Sequence, residues 1–167
     1  MIIFIDEPIL TALGTSSYIS VSQEEAMHMI RQTVETIKAE GALSGLHCCG
    51  RADWKEVLTT GVDILNFDAY GFFDSLLAAG ESIEGFLSKG GVLAWGIVPT
   101  TEAINSENKD TLLKRLEEYM EKLGSFISKE TILNSSIITP SCGAGSRTVA
   151  EAERVFSVLH QMGEALR

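Results

Sequence analysis

What most narrows the folds open to this chain is an alternation. Short apolar runs are followed by longer segments whose apolar residues recur at helical spacing, five times over, with no linker or low-complexity stretch between them. A short apolar run bounded by turn residues reads as a buried strand, and a 3.6-residue period reads as a helix with one face on a core. IIFI (2–5) is the first strand, and a loop containing Gly14, Thr15, Ser16 and Ser17 leads to a helix over 22–40. Ser22 and Glu25 have capping-box spacing there, and Ala26, Ile30, Val34 and Ile37 form one stripe. GLHC (45–48), DILNF (63–67), GGVLAWGIV (90–98) and SSIIT (135–139) are the next four strands. Helices are expected over 52–60, over 75–89, along the stripe Leu112, Leu116, Met120, Leu123 and Ile127, and from Thr148 to the end.

Strict alternation of strand and helix implies parallel strands covered by helices, the α/β class. Periodicity does not separate an open doubly wound sheet from part of a barrel. A complete β/α barrel needs eight such units and about 250 residues, so the five seen here are three short. The length, 167 residues, suits a single domain over 1–167.

Composition removes several function classes. The formal net charge is −10 and no cluster of Lys and Arg stands out, so the electrostatic footprint of a nucleic-acid binder is missing. No apolar run approaches the roughly 20 residues that cross a bilayer, and MIIFIDEPIL meets acidic residues and a proline too early for a signal peptide. A cytoplasmic location, with no membrane partner, is therefore expected. Three cysteines cannot all pair within one chain, and cytosolic thiols stay reduced, which favours metal binding or catalysis over disulfides.

In parallel α/β folds functional groups gather where the strands end, because the loops there share one rim. Those positions here are DEP (6–8), HCCG (47–50), NFDAYG (66–71), GIVPT (96–100) and TPSCGAG (139–145). Alternation along a strand turns His47 and Cys49 to one face and Cys48 to the other. His47 and Cys49 could share one ion, with Cys48 packed behind them. Zn²⁺ accepts imidazole, thiolate and carboxylate in a tetrahedral shell, so Cys142 and Asp68 are the candidates to complete it. A His-x-Cys pair alone is a weak signal, and the distant cysteine and the acid strengthen it.

Asp6 is either a solvated strand terminus or a carboxylate that holds a substrate cation such as an α-amino group. His28 and His160 fall within helices and read as surface or packing residues. SCGAGS (141–146) has a second interpretation as a phosphate-cradling loop before a helix, but it lacks the Lys-Ser/Thr ending of a P-loop.

Taken together, IDEP (5–8), the His47-x-Cys49 pair, an acid on the next strand end and PSCG (140–143) resemble the catalytic half of cobalamin-independent methionine synthase. The wider superfamily includes uroporphyrinogen decarboxylase and the zinc methyltransferases that act on coenzyme M, and the resemblance runs from Ile5 to the final helix. It implies a partial (β/α)₈ barrel, the C-terminal portion of a methyltransferase. The missing strands would be supplied before Met1 or through self-association.

The resemblance also implies Zn²⁺ held by His47, Cys49 and Cys142, with Asp68 where the family has Glu, one methylene shorter. Asp6 matches the family aspartate that contacts the amino group of homocysteine. The folate-dependent enzymes carry a histidine after the fourth of these strands, whereas this chain has AWGIVPT (94–100), so the implied methyl donor is a methylated corrinoid protein. The alternative is a non-catalytic module that binds a corrinoid or tetrapyrrole, or an inactive barrel fragment.

Overall fold

The computed structural model describes residues 1–13 and 20–167. The Gly/Ser/Thr-containing loop expected after the first strand falls on 14–19 and lies outside the described residues. Strands β1 (Ile2–Asp6), β2 (Leu43–Cys48), β3 (Ile64–Phe67), β4 (Val92–Val98) and β5 (Ser136–Pro140) form one sheet. Every pairing is parallel, and the spatial order equals the chain order. The α/β class and its five parallel strands are therefore as the sequence implies.

Chain order also bears on a point that periodicity leaves open. A doubly wound sheet reverses its strand order at one point, and this sheet does not. Because parallel crossovers are right-handed in nearly every protein, adding each strand on the same side puts all the helices on one face.

The core follows from that arrangement. Leu46 and Cys48 of β2, Leu65 and Phe67 of β3, and Leu93, Trp95 and Ile97 of β4 are buried against apolar residues of the helices. Register places Phe4 and Asp6 of β1, Gly45 and His47, Ile64 and Asn66, Ala94 and Gly96, and Ile137 and Thr139 of β5 on the opposite face. Among the described residues no helix covers that face. Ile2 (52% exposed), Phe4 (42%), Leu43 (51%) and Ile137 (45%) lie open on it, although parallel sheets are ordinarily covered on both sides.

The helices are α1 (Gln23–Ala39), α2 (Trp54–Leu58), α3 (Ala69–Leu77), α4 (Gly80–Ser88), α5 (Lys109–Leu123), α6 (Lys129–Asn134) and α7 (Val149–Ala165). Capping boxes close α1 through Ser22 and Glu25, and α7 through Thr148 and Glu151. Where the sequence implies a single helix over 75–89, the structure has two. The Asp68 side chain starts α3 early, directly after β3, and the helix is kinked at Phe72, whose φ of −136° is not helical. The second helix, α4, begins at Gly80, which packs against the Phe126 ring. The stripe ending at Ile127 is also divided, because α5 ends at Gly124 and Ser128 caps a new helix, with Ile127 still buried in the turn between them.

An aromatic row backs the sheet beneath the strand ends. Trp54 meets Phe67 edge to face at 6.2 Å, Phe67 lies 5.4 Å from Trp95, and Phe73 stacks on Tyr119 at 4.1 Å. Both indole N–H groups are satisfied, by Ser75 at 2.9 Å and Ser136 at 2.8 Å. Such pairs add about 0.5–1.5 kcal/mol each beyond their burial and give the rim a rigid footing.

Candidate metal centre

Alternation in β2 puts Cys48 in the core, fully buried, with its sulfur near the Gly50 carbonyl at 3.9 Å. Burial pushes that thiol up to about 11, so it stays protonated and serves as packing. His47 and Cys49 turn the other way, half-buried, onto the helix-free face.

The third member arrives from β5. Ser141 is tied to the end of β4: its N–H donates to Val98 O at 2.8 Å, and its hydroxyl accepts from Thr100 N–H at 3.1 Å. The register of β4 and β5 shifts between Gly96 and Val98. Gly96 permits the close approach, since a Cβ there would stand 2.5 Å from Phe67 O and 2.9 Å from Ser141 Cα. Cys142 follows directly, exposed, and a ring nitrogen of His47, the Cys49 sulfur and the Cys142 sulfur all lie within 4.8 Å of one another. Strands three apart in a flat sheet would be about 14 Å apart. The sheet and its loops therefore bend toward the helix-free face.

Two observations show that this group suits a cation. His47 Nδ1 is engaged with Asn66 Oδ1 at 2.6 Å, while His47 Nε2 is buried and has no hydrogen-bond partner. A buried polar atom left without a partner is costly and calls for an explanation, and a metal ligand position supplies one. The Cys49 thiol is held above its ordinary value, first by burial, then by the Cys142 sulfur beside it and by the Asp68 carboxylate. Two sulfurs and a carboxylate crowded together in this way are relieved by a positive ion, which binds as the thiols give up their protons.

The other sequence candidates stand close by in different roles. Asp68 is not one of the three grouped residues; its Oδ1 caps α3 by accepting from Gly71 N–H at 2.7 Å. Burial raises its pKa, and the Gly71 N–H and the neighbouring His47 act in the opposite sense. Asp6 ends β1, exposed, as the register partner of His47, and Glu7 N–H donates to His47 O at 2.9 Å. His28 and His160 are exposed on α1 and α7. The start of α7 already carries the Glu151 carboxylate, bonded to Thr148 N–H at 3.1 Å, which disfavours the phosphate-cradling interpretation.

Sequence reasoning missed Asn66. The signal was present as the one amide in the apolar strand DILNF, two residues from Asp68 and so on the same face. No helix among the described residues is long and apolar enough to cross a membrane. No protein-family model matches the chain, and no curated protein matches it.

Proposed function

We propose that this chain is the C-terminal part of an eight-stranded β/α barrel that acts, in full, as a cytoplasmic zinc-dependent methyltransferase on a thiol. The observation that carries the proposal is the grouping of a His47 ring nitrogen with two sulfurs from separate strand ends, on a ring whose buried Nε2 has no hydrogen-bond partner. One imidazole and two thiolates suit Zn²⁺, and three protein ligands with an open fourth position are the pattern of catalytic sites rather than structural ones. Strand order without reversal, an uncovered apolar face and two free edges support the barrel, which three more units would close.

His47, Cys49 and Cys142 would hold the ion. Zinc bound there lowers the pKa of a thiol that enters the open position and keeps it nucleophilic at neutral pH. Asp6, at the neighbouring strand end, accepts the ammonium of an amino-thiol such as homocysteine and so aligns its sulfur. Asp68, whose Oδ1 accepts from Gly71 N–H, would offer its carboxylate as a displaceable fourth ligand. With no histidine in 94–100 for folate chemistry, the donor would be a methylcorrinoid, whose methyl–cobalt bond breaks as the thiolate sulfur–carbon bond forms, the electron pair leaving with cobalt as the Co(I) corrinoid.

The uncovered apolar face also favours a second reading, a module that holds a corrinoid or tetrapyrrole without turnover. Zinc-loaded full-length protein incubated with methylcobalamin and homocysteine distinguishes the two. The methyltransferase reading expects methionine to form, and Cys142→Ser to abolish it. Corrinoid binding with no methylated thiol, using either homocysteine or coenzyme M, would establish the second reading in its place.

A further inference from the structure

We infer that Asn66 is a positioning residue that locks His47 in the tautomer that leaves Nε2 free to bind metal, an inference that rests on the metal-site reading above. Asn66 is 8% exposed, and its amide has three partners. Its Nδ2 lies 2.8 Å from Ala94 O and 2.9 Å from Thr139 Oγ1. A backbone carbonyl can only accept, so the atom facing it is the NH₂ group, and Oδ1 is the atom that faces His47 at 2.6 Å. An amide oxygen also can only accept, so His47 Nδ1 carries the proton and donates it. Nε2 is thereby left with a bare lone pair, and it is this atom that is buried without a partner.

Neutral histidine in water favours the opposite tautomer, with the proton on Nε2 and the free lone pair on Nδ1, the nitrogen that here faces Asn66. The strands therefore supply a selection that the ring does not make by itself. The bridge from β3 to β5 passes over β4 where Ala94 and Gly96 leave room, so the same amide also holds the β5 end near β2. Partners of this kind on metal-binding histidines typically change metal affinity by about 10–100-fold when removed.

The test begins with ¹⁵N-labelled, metal-free protein in mildly alkaline buffer, where the histidine tautomer is read from long-range ¹H–¹⁵N correlations. The wild type is expected to show His47 protonated at Nδ1. A wild-type ring protonated at Nε2 overturns the inference whatever the variants do. Asn66→Ala should move His47 toward the Nε2-protonated form and weaken zinc binding, measured by chelator competition, about 10–100-fold.

Asn66→Asp keeps an acceptor for Nδ1, and the Thr139 hydroxyl can turn to donate to its carboxylate, but Ala94 O loses its donor, so the variant should lose thermal stability while holding the tautomer and weakening zinc binding less than Asn66→Ala does. Zinc affinity that falls equally in both variants, in step with stability and with the tautomer unchanged, would show a merely structural role and overturn the proposal. The expected tautomer in a wild type that takes up no zinc would instead overturn the metal-site reading and leave the tautomer lock standing.

Discussion

Substituting Gly96 by alanine probes how the third ligand is brought into place. A Cβ at this position would meet Phe67 O at 2.5 Å, Ser141 Cα at 2.9 Å and Pro140 O at 3.2 Å, all of them backbone atoms that no rotamer change can move. Restoring an ordinary contact requires β3 and the β5 terminus to part by about 0.5 Å or more, whereas metal–ligand distances tolerate only about 0.2 Å. Cys142 follows Ser141 directly, so the displacement passes to its sulfur. Overpacking of this kind costs about 1–3 kcal/mol, which for a domain of this size lowers Tm by about 2–12 °C.

Thermal unfolding of metal-free protein and zinc titration against a chromogenic chelator are the assays. The expected result is a modest stability loss together with at least about tenfold weaker zinc binding. Gly143→Ala, next to the same cysteine but with open space around its Cβ, should leave both unchanged. A Gly96→Ala protein with wild-type zinc affinity would refute the reasoning that this close approach sets the site.

Two further expectations concern the scaffold. Glu107, 8% exposed, accepts from Tyr70 Oη at 2.8 Å, from the Thr111 hydroxyl and from Arg115 at 3.1 Å, so Glu107→Ala leaves the Tyr70 hydroxyl and a half-buried guanidinium without their acceptor and should cost about 1–3 kcal/mol in chemical denaturation; an unchanged stability would contradict this. At Asp63 partial burial pushes the carboxyl up, but Lys38 at 2.8 Å and the Ser44 N–H and hydroxyl, both at 2.9 Å, outweigh it and leave the pKa below the usual value. A lowered folded-state pKa stabilises the protein above the unfolded value of about 3.9, and that share is lost as pH falls from there through the folded value. Asp63→Asn should therefore flatten the acid limb of the stability curve, and an unchanged limb would show that the pair contributes nothing.

The strands are legible in the sequence because each apolar run is bounded by turn residues, and their parallel pairing follows from the helices between them. The breaks between α3 and α4 and between α5 and α6 are less so. At the first, the Asp68 cap and the kink at Phe72 start α3 ahead of the expected helix, and Gly80 at the start of α4 packs against Phe126, more than forty residues away, a contact no local pattern reveals. The second has its signal in Gly124 and Ser128, but the apolar stripe runs on to Ile127 and masks it.

At the site, parity along β2 separates Cys48 from His47 and Cys49, and both sides of that division agree with the structure. Residue chemistry suggests Cys142 as a partner, but its approach depends on the bend of the sheet and the bare Cα of Gly96, neither of which a linear pattern encodes. A strand-end carboxylate suits zinc, which makes Asp68 a candidate ligand; the same position suits a helix cap, and the cap is the bond the structure makes. Asn66 leaves a sign in the sequence, the one amide of an apolar strand, but its role emerges only with its three partners in place.

The most direct measurement is the zinc content of protein purified without chelator, by plasma emission spectroscopy, for the wild type and for His47→Ala, Cys48→Ala, Cys49→Ala and Cys142→Ala. About one zinc per chain is expected in the wild type and in Cys48→Ala, with the metal lost from the other three. A wild type without zinc, or zinc that persists when Cys49 or Cys142 is removed, would contradict it.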